Sequence, residues 1–129
     1  MFIVNVEGAI RKDDKWVIVE RSRKEEHAGG GLALVGGKVE AENTPNILEK
    51  TLKREIAEEI GITIKDEMKY IHSITFTTDQ GIIVVDVIFL CEYESGTLEV
   101  KDYDEVESIY LMSTEEVIKN KKVQFLNLF

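Results

Sequence analysis

The chain has 129 residues, 43% of them hydrophobic, and sixteen Lys and Arg against twenty-five Asp and Glu leave a formal net charge of -9. That size and apolar content suit one hydrophobic core, so a single domain over residues 1–129 is expected. The acidic balance argues against a general nucleic-acid or anionic-membrane binder, whose affinity rests on clustered positive charge. An anionic ligand would need local help. "MFIVNVEGAI" at the start has neither a basic leader nor a long apolar core, and no apolar run in the chain is long enough to span a bilayer. A cytoplasmic protein with no membrane partner is the expectation.

Residues 2–10 and 15–21 are rich in Val and Ile and flank the polar "RKDDK", which predicts a hairpin. "RSRKEEHAGGG" is charged and then glycine-rich, a loop signal. A short strand at "LALV" precedes Gly36 and Gly37, which read as a strand-to-loop turn. Thr44 followed by Pro45 predicts an N-cap and first helical residue, and Gly61 suits the position just past the end, giving a helix over about 45–60. Two long strands follow, joined through Asp79, Gln80 and Gly81, with glycine available for positive φ. Strand 107–111 and helix 114–120 complete a mixed α/β sandwich. The single cysteine, Cys91, lies in the apolar run "IIVVDVIFLCEY" and reads as a buried thiol.

The helix carries the chemistry. At about 100° per residue, Leu48, Leu52, Ile56 and Ile60 form its apolar stripe, and Glu59 falls angularly between Leu48 and Leu52. Glu55 and Glu58 lie beside it, so three carboxylates crowd one arc, where like charges at i,i+3 and i,i+4 repel by about 0.2–0.5 kcal/mol a pair. A solvated helix face is the ordinary explanation, but Glu59 inside the stripe speaks for a ligand set. Those carboxylates are the hard oxygen donors that Mg²⁺ prefers, and "GGKVE" beside them lets backbone approach closely and leaves a carbonyl free to point inward. A divalent ion would relieve the repulsion and bridge this acidic chain to phosphate.

"GGKVE" and "REIAEEIG" together resemble the Nudix hydrolases, whose signature is G-x5-E-x7-R-E-U-x-E-E-x-G-U with U a bulky aliphatic residue. Arg54, Glu55, Ile56, Glu58, Glu59, Gly61 and Ile62 match every fixed position of the second half, and Gly37 suits the opening glycine. "EGAIRKDDKWVIVERS" is similar to the family's first hairpin and "DEVESIYLMSTEEV" to its closing strand and helix. The first half departs from the pattern. Sixteen residues separate Gly37 from Arg54 where the signature has thirteen, and the glutamate position falls on Asn43 or Asn46, depending on which end is counted from. Glu40 or Glu42 is expected to turn back towards Arg54 and replace that glutamate. Val35 and Leu32 stand where the family usually has proline and tryptophan.

The resemblance implies a Nudix-like α/β/α sandwich with a mixed β-sheet, and hydrolysis of the pyrophosphate linkage of a nucleoside diphosphate joined to another moiety. It implies Mg²⁺, with Mn²⁺ able to replace it, held by Glu55, Glu58, Glu59 and a backbone carbonyl of Gly36 or Gly37. Arg54 would orient the glutamates, and Glu55, or behind it Glu105, would take the proton of the attacking water. Glu105 and Glu107 are equally well read as a solvated acidic loop. The partner is a nucleotide-like small molecule, not nucleic acid, and a homodimer is among the expectations because family members commonly pair. Arg21 and Arg23 can meet phosphates or solvent, His27 is a lone loop histidine, and His72 reads as packed or partly exposed. Asp86, interrupting an apolar strand face, reads equally as a buried hydrogen-bonded acid or a site residue and is set outside the site. The main alternative is a nucleotide-binding or regulatory module of the same fold without turnover; an acidic interaction surface without ligand is a third reading.

Overall fold

The computed structural model describes residues 2–23 and 31–120. The first hairpin forms from β1 (Phe2–Lys12) and β2 (Lys15–Arg21), turning through Asp13 and Asp14, both at positive φ. Only Arg11↔Trp16 and Lys12↔Lys15 pair before the strands part. β1 then takes two other partners. The parallel strand β7 (Ile83–Gly96) runs beside it from Phe2↔Ile83 to Arg11↔Glu92, and β4 (Val35–Lys38) is antiparallel to it from Asn5↔Lys38 to Gly8↔Val35. β3 (Leu32–Ala33) and β8 (Val106–Met112) pair with β2, whereas β5 (Ile62–Ile64) and β6 (Lys69–Thr77) pair with β7. The turn between β6 and β7 is closed by Gly81 N–H donating to the Thr78 carbonyl, with Gly81 at φ 82°.

Strand alternation divides the core between the two faces of this sheet. Val6, Ile10, Val17 and Val19 point to one face, where Leu52, Ile56 and Ile60 of α1 (Ile47–Ile60) cover them. Ala9 and Ile18 point to the other, against Val117 of α2 (Thr114–Lys119). A helix on each face of a mixed sheet is the expected α/β/α sandwich. Cys91 is buried in the first cluster, and burial with the charge of Glu92 pushes its thiol up to about 12, which suits packing rather than nucleophilic work.

Two local expectations are corrected. The α1 helix begins at Ile47, not Pro45: its N-cap is Asn46 in the left-handed conformation, without a side-chain cap, and Thr44 instead accepts from Lys50 Nζ through its hydroxyl. Asparagine tolerates positive φ, so the inserted loop turns into the helix one residue after the proline. Gly36 and Gly37 belong to β4 and do not form a turn. The helix end agrees with the sequence: Gly61 sits at φ 75° with its N–H on the Ala57 carbonyl. Ser113 and Glu116 form a reciprocal capping box at the start of α2.

Candidate active site

Glu59 is only 6% exposed, so the carboxylate placed in the apolar stripe by the sequence is indeed buried with Leu52, Ile56 and Ile60. It opens on a cavity of about 850 Å³ whose wall includes Glu55, Gly36, Gly37, Glu105 and Arg21. β4 passes close against α1 here. A Cβ on Gly37 would come within 2.6 Å of the Glu55 carboxyl carbon, so glycine is what lets that side chain lie across the strand. On the other face of β4, a Cβ on Gly36 would be 2.0 Å from the Val6 carbonyl oxygen. Val39 N–H donates to the Val4 carbonyl, and antiparallel alternation from that bond makes Gly37 a bonded partner of Val6 and turns the Gly36 N–H and carbonyl away from β1.

The segment after β7 ties a second acidic element to the helix end. Glu99 N–H donates to the Ile60 carbonyl and Lys101 N–H to that of Glu59, satisfying two of the last helical carbonyls. Asp102 and Glu105 are thereby brought within electrostatic reach of Glu59. Burial first, then the hydrogen bond and charge of Glu55, then Glu105 and Asp102, push the Glu59 carboxyl up to about 9. The last turn of α1 has no basic residue, so the negative end of the helix dipole is also uncompensated.

Glu58 and Arg54 face outward. The Glu58 side chain is 61% exposed, and Arg54 reaches Glu55 at 3.3 Å and Glu58 at 3.9 Å. Neither Glu40, at the cavity rim, nor Glu42 pairs with Arg54 among the described residues, so the insertion does not restore the missing glutamate contact. Arg23 and Glu107 are exposed and absent from the cavity wall, His72 is half-buried on β6, and His27 lies outside the described residues.

Two acids of the cavity wall were not assigned to the site from sequence. Glu7 on β1 meets Asp86 on β7, which is 1% exposed. Burial raises both; the hydrogen bond and charge of Asp86 raise Glu7 further, against Arg21, while the Glu7 hydrogen bond and His72 hold Asp86 lower than burial alone would.

Residues 1–128 match the family model of the NUDIX domain. The chain belongs to the NUDIX family. Its fold is similar to that of a MutT NUDIX hydrolase from Burkholderia pseudomallei, with 24% identity, a TM-score of 0.78 and coverage of 90% of this chain and 86% of that one. A MutT protein from Methanosarcina mazei Go1 superposes with a TM-score of 0.80 at 20% identity, covering 98% and 88% of the two chains. A NUDIX hydrolase from Nitrosomonas europaea gives 0.78 at 18% identity, covering 99% and 84%. Comparison with curated proteins gave no match. In this NUDIX chain the signature's second half is the last two turns of α1, its C-cap Gly61 and the first residue of β5. No helix among the described residues is long and apolar enough to cross a membrane.

The raised acids give the metal-free protein a pH dependence of defined sign. Between 4.5, the ordinary value, and about 9 the folded chain keeps the Glu59 proton that the unfolded chain has released, so stability falls as pH rises through that window. Glu7 and Asp86 act in the same direction. Thermal midpoints in chelator should decline from pH 5 to pH 9, and Glu59→Gln should flatten the decline. An unchanged slope in the variant would show that Glu59 is not its source.

Proposed function

We propose that this single NUDIX domain is a cytoplasmic, Mg²⁺-dependent hydrolase of the pyrophosphate linkage in a nucleoside diphosphate joined to another group. The observation that supports it most is the buried Glu59 beside Glu55, packed against Gly37 at the wall of a ligand-sized cavity. Two carboxylates so placed in an acidic pocket fit a divalent cation better than each other. Among the described residues no three acid, imidazole or thiol groups already converge as a complete cage. Mg²⁺ is commonly bound by one or two carboxylates with water and substrate phosphate filling the rest of its shell. Glu55 and Glu59 would hold it with the outward Gly36 carbonyl; Glu58 is the third signature acid, and Mn²⁺ can serve in its place.

Mg²⁺ bound there would neutralise phosphate oxygens and lower the pKa of the attacking water. Glu55 would accept that water's proton, and Glu105, in the wall of the same cavity, is the second candidate. Arg54 holds Glu55 from outside through the 3.3 Å contact. Arg21 adds a positive charge to the wall for the substrate phosphates.

Purified protein incubated with Mg²⁺ and a panel of nucleoside diphosphate derivatives should release phosphate-bearing products from at least one. Glu59→Gln should keep the fold and weaken Mn²⁺ affinity at least about tenfold, the scale of losing a significant metal-site group; unchanged affinity by calorimetry would remove Glu59 from the ligand set. A nucleotide-binding module without turnover would use the same cavity. The lack of an Arg54 contact from Glu40 or Glu42 is the observation in its favour, and binding without product is its signature.

A further inference from the structure

The Glu7–Asp86 pair belongs to the same cavity but not to the metal-binding acids just described. Asp86 lies between Asn5 of β1 and Ile74 of β6 in the sheet register, and apart from the Glu7 carboxyl group neither of its carboxyl oxygens has a hydrogen-bond partner among the described residues. A carboxylate buried at that depth is costly unless donors reach it. Glu7 can supply one proton at most, and it brings two acceptor oxygens of its own. The deficit is therefore in donors. On the β6 side of the pair the wall is apolar, whereas Asn5 and Arg21 line its β1 and β2 side: Val84 precedes Asp86 by two on the same strand face and pairs with Phe76, and Ile74 and Phe76 stay well exposed for side chains of their kind.

Exposed apolar side chains ending at a donor-poor carboxyl pair match a flat heterocycle that lays its face on Phe76 and Ile74 and turns an N–H edge to Asp86. Among the common bases guanine alone offers two adjacent donor groups, the ring N1–H and the exocyclic N2 amine. Adenine and cytosine offer one donor group next to an acceptor, and uracil offers one between two acceptors. We propose that Asp86, with Glu7 beside it, is the base-reading subsite of the cavity and selects guanine nucleotides. This rests on the nucleotide reading above, and it supplies the substrate class that the family leaves open.

The test is calorimetry of GDP, IDP, ADP, UDP and dGDP against the whole protein with Mn²⁺, with turnover of the corresponding NDP-linked substrates followed in parallel. IDP lacks only the N2 amine and should bind about tenfold more weakly than GDP, the scale of losing a bidentate base contact. dGDP should match GDP. Asp86→Asn, which keeps the shape of the side chain but loses one acceptor, should bring GDP and IDP to similar affinities. Equal binding of GDP and IDP by the wild-type protein would overturn the proposal, and needs no variant to fold. So would a GDP/IDP ratio that survives Asp86→Asn, or a preference that follows the 2′-hydroxyl. Turnover of every substrate without base ranking would keep the hydrolase and remove this subsite; a GDP preference without turnover would do the reverse.

Discussion

Glu55→Gln should lower kcat by roughly 10²–10⁴-fold while leaving nucleotide binding nearly intact, the range for losing a general base. The side chain is 20% exposed, reaches the cavity over Gly37 and is held from behind by Arg54. Glutamine fills the same volume and still accepts a hydrogen bond from the guanidinium, so the fold is kept while the ability to take a proton is lost. Glu55 is also a candidate ligand, so Mn²⁺ affinity has to be measured in the same variant. A fall in kcat without a matching fall in affinity identifies the base. If Glu55 only buttresses Arg54, folded Glu55→Gln protein will turn over at nearly the wild-type rate. Should Glu105→Gln then lose turnover, the base belongs to the loop before β8.

The elements were legible where local pattern and tertiary demand coincide. The period-2 runs of β1, β2, β6 and β7, the acidic α1 helix and its Gly61 cap agree with the sequence because each is set by neighbours a few residues away. Glu59 was legible for the same reason, since the wheel alone places it in the apolar stripe. Glu7 was not. Ile3, Asn5 and Glu7 alternate with Val4 and Val6 as on any strand with one wet face, and only the pairing of β1 with β7, some eighty residues later, turns that face into a cavity wall beside Asp86. A polar residue interrupting an apolar strand face was the available signal; it was noticed at Asp86, but the partner that gives it meaning lies on another strand. Of the two roles read for the glycines only the turn fails: both lie within β4, where close approach between elements, which sequence spacing does not report, requires them.

Gly36→Ala and Gly37→Ala should therefore have opposite consequences despite being neighbours. At Gly36 the new methyl would lie 2.0 Å from the Val6 carbonyl oxygen and 2.7 Å from the Glu7 Cα, both backbone atoms of the adjacent strand. Neither can yield without breaking the four-residue pairing of β1 with β4, from Asn5↔Lys38 to Gly8↔Val35. The cost should reach or exceed about 3 kcal/mol, the upper range for overpacking, which lowers the melting midpoint by roughly 10 °C for a domain of this size. At Gly37 the methyl meets only the Glu55 side chain, its carboxyl carbon at 2.6 Å. That end can swing away. Gly37→Ala should melt within a few degrees of the wild type and yet lose turnover, with Mn²⁺ affinity changing only as far as it does in Glu55→Gln, because the displaced carboxylate is the one facing the cavity. Thermal denaturation and calorimetry on the two variants decide the point. A stable Gly36→Ala protein would mean that β4 does not lie against β1 as described, and a fully active Gly37→Ala protein would mean that Glu55 does its work from another position.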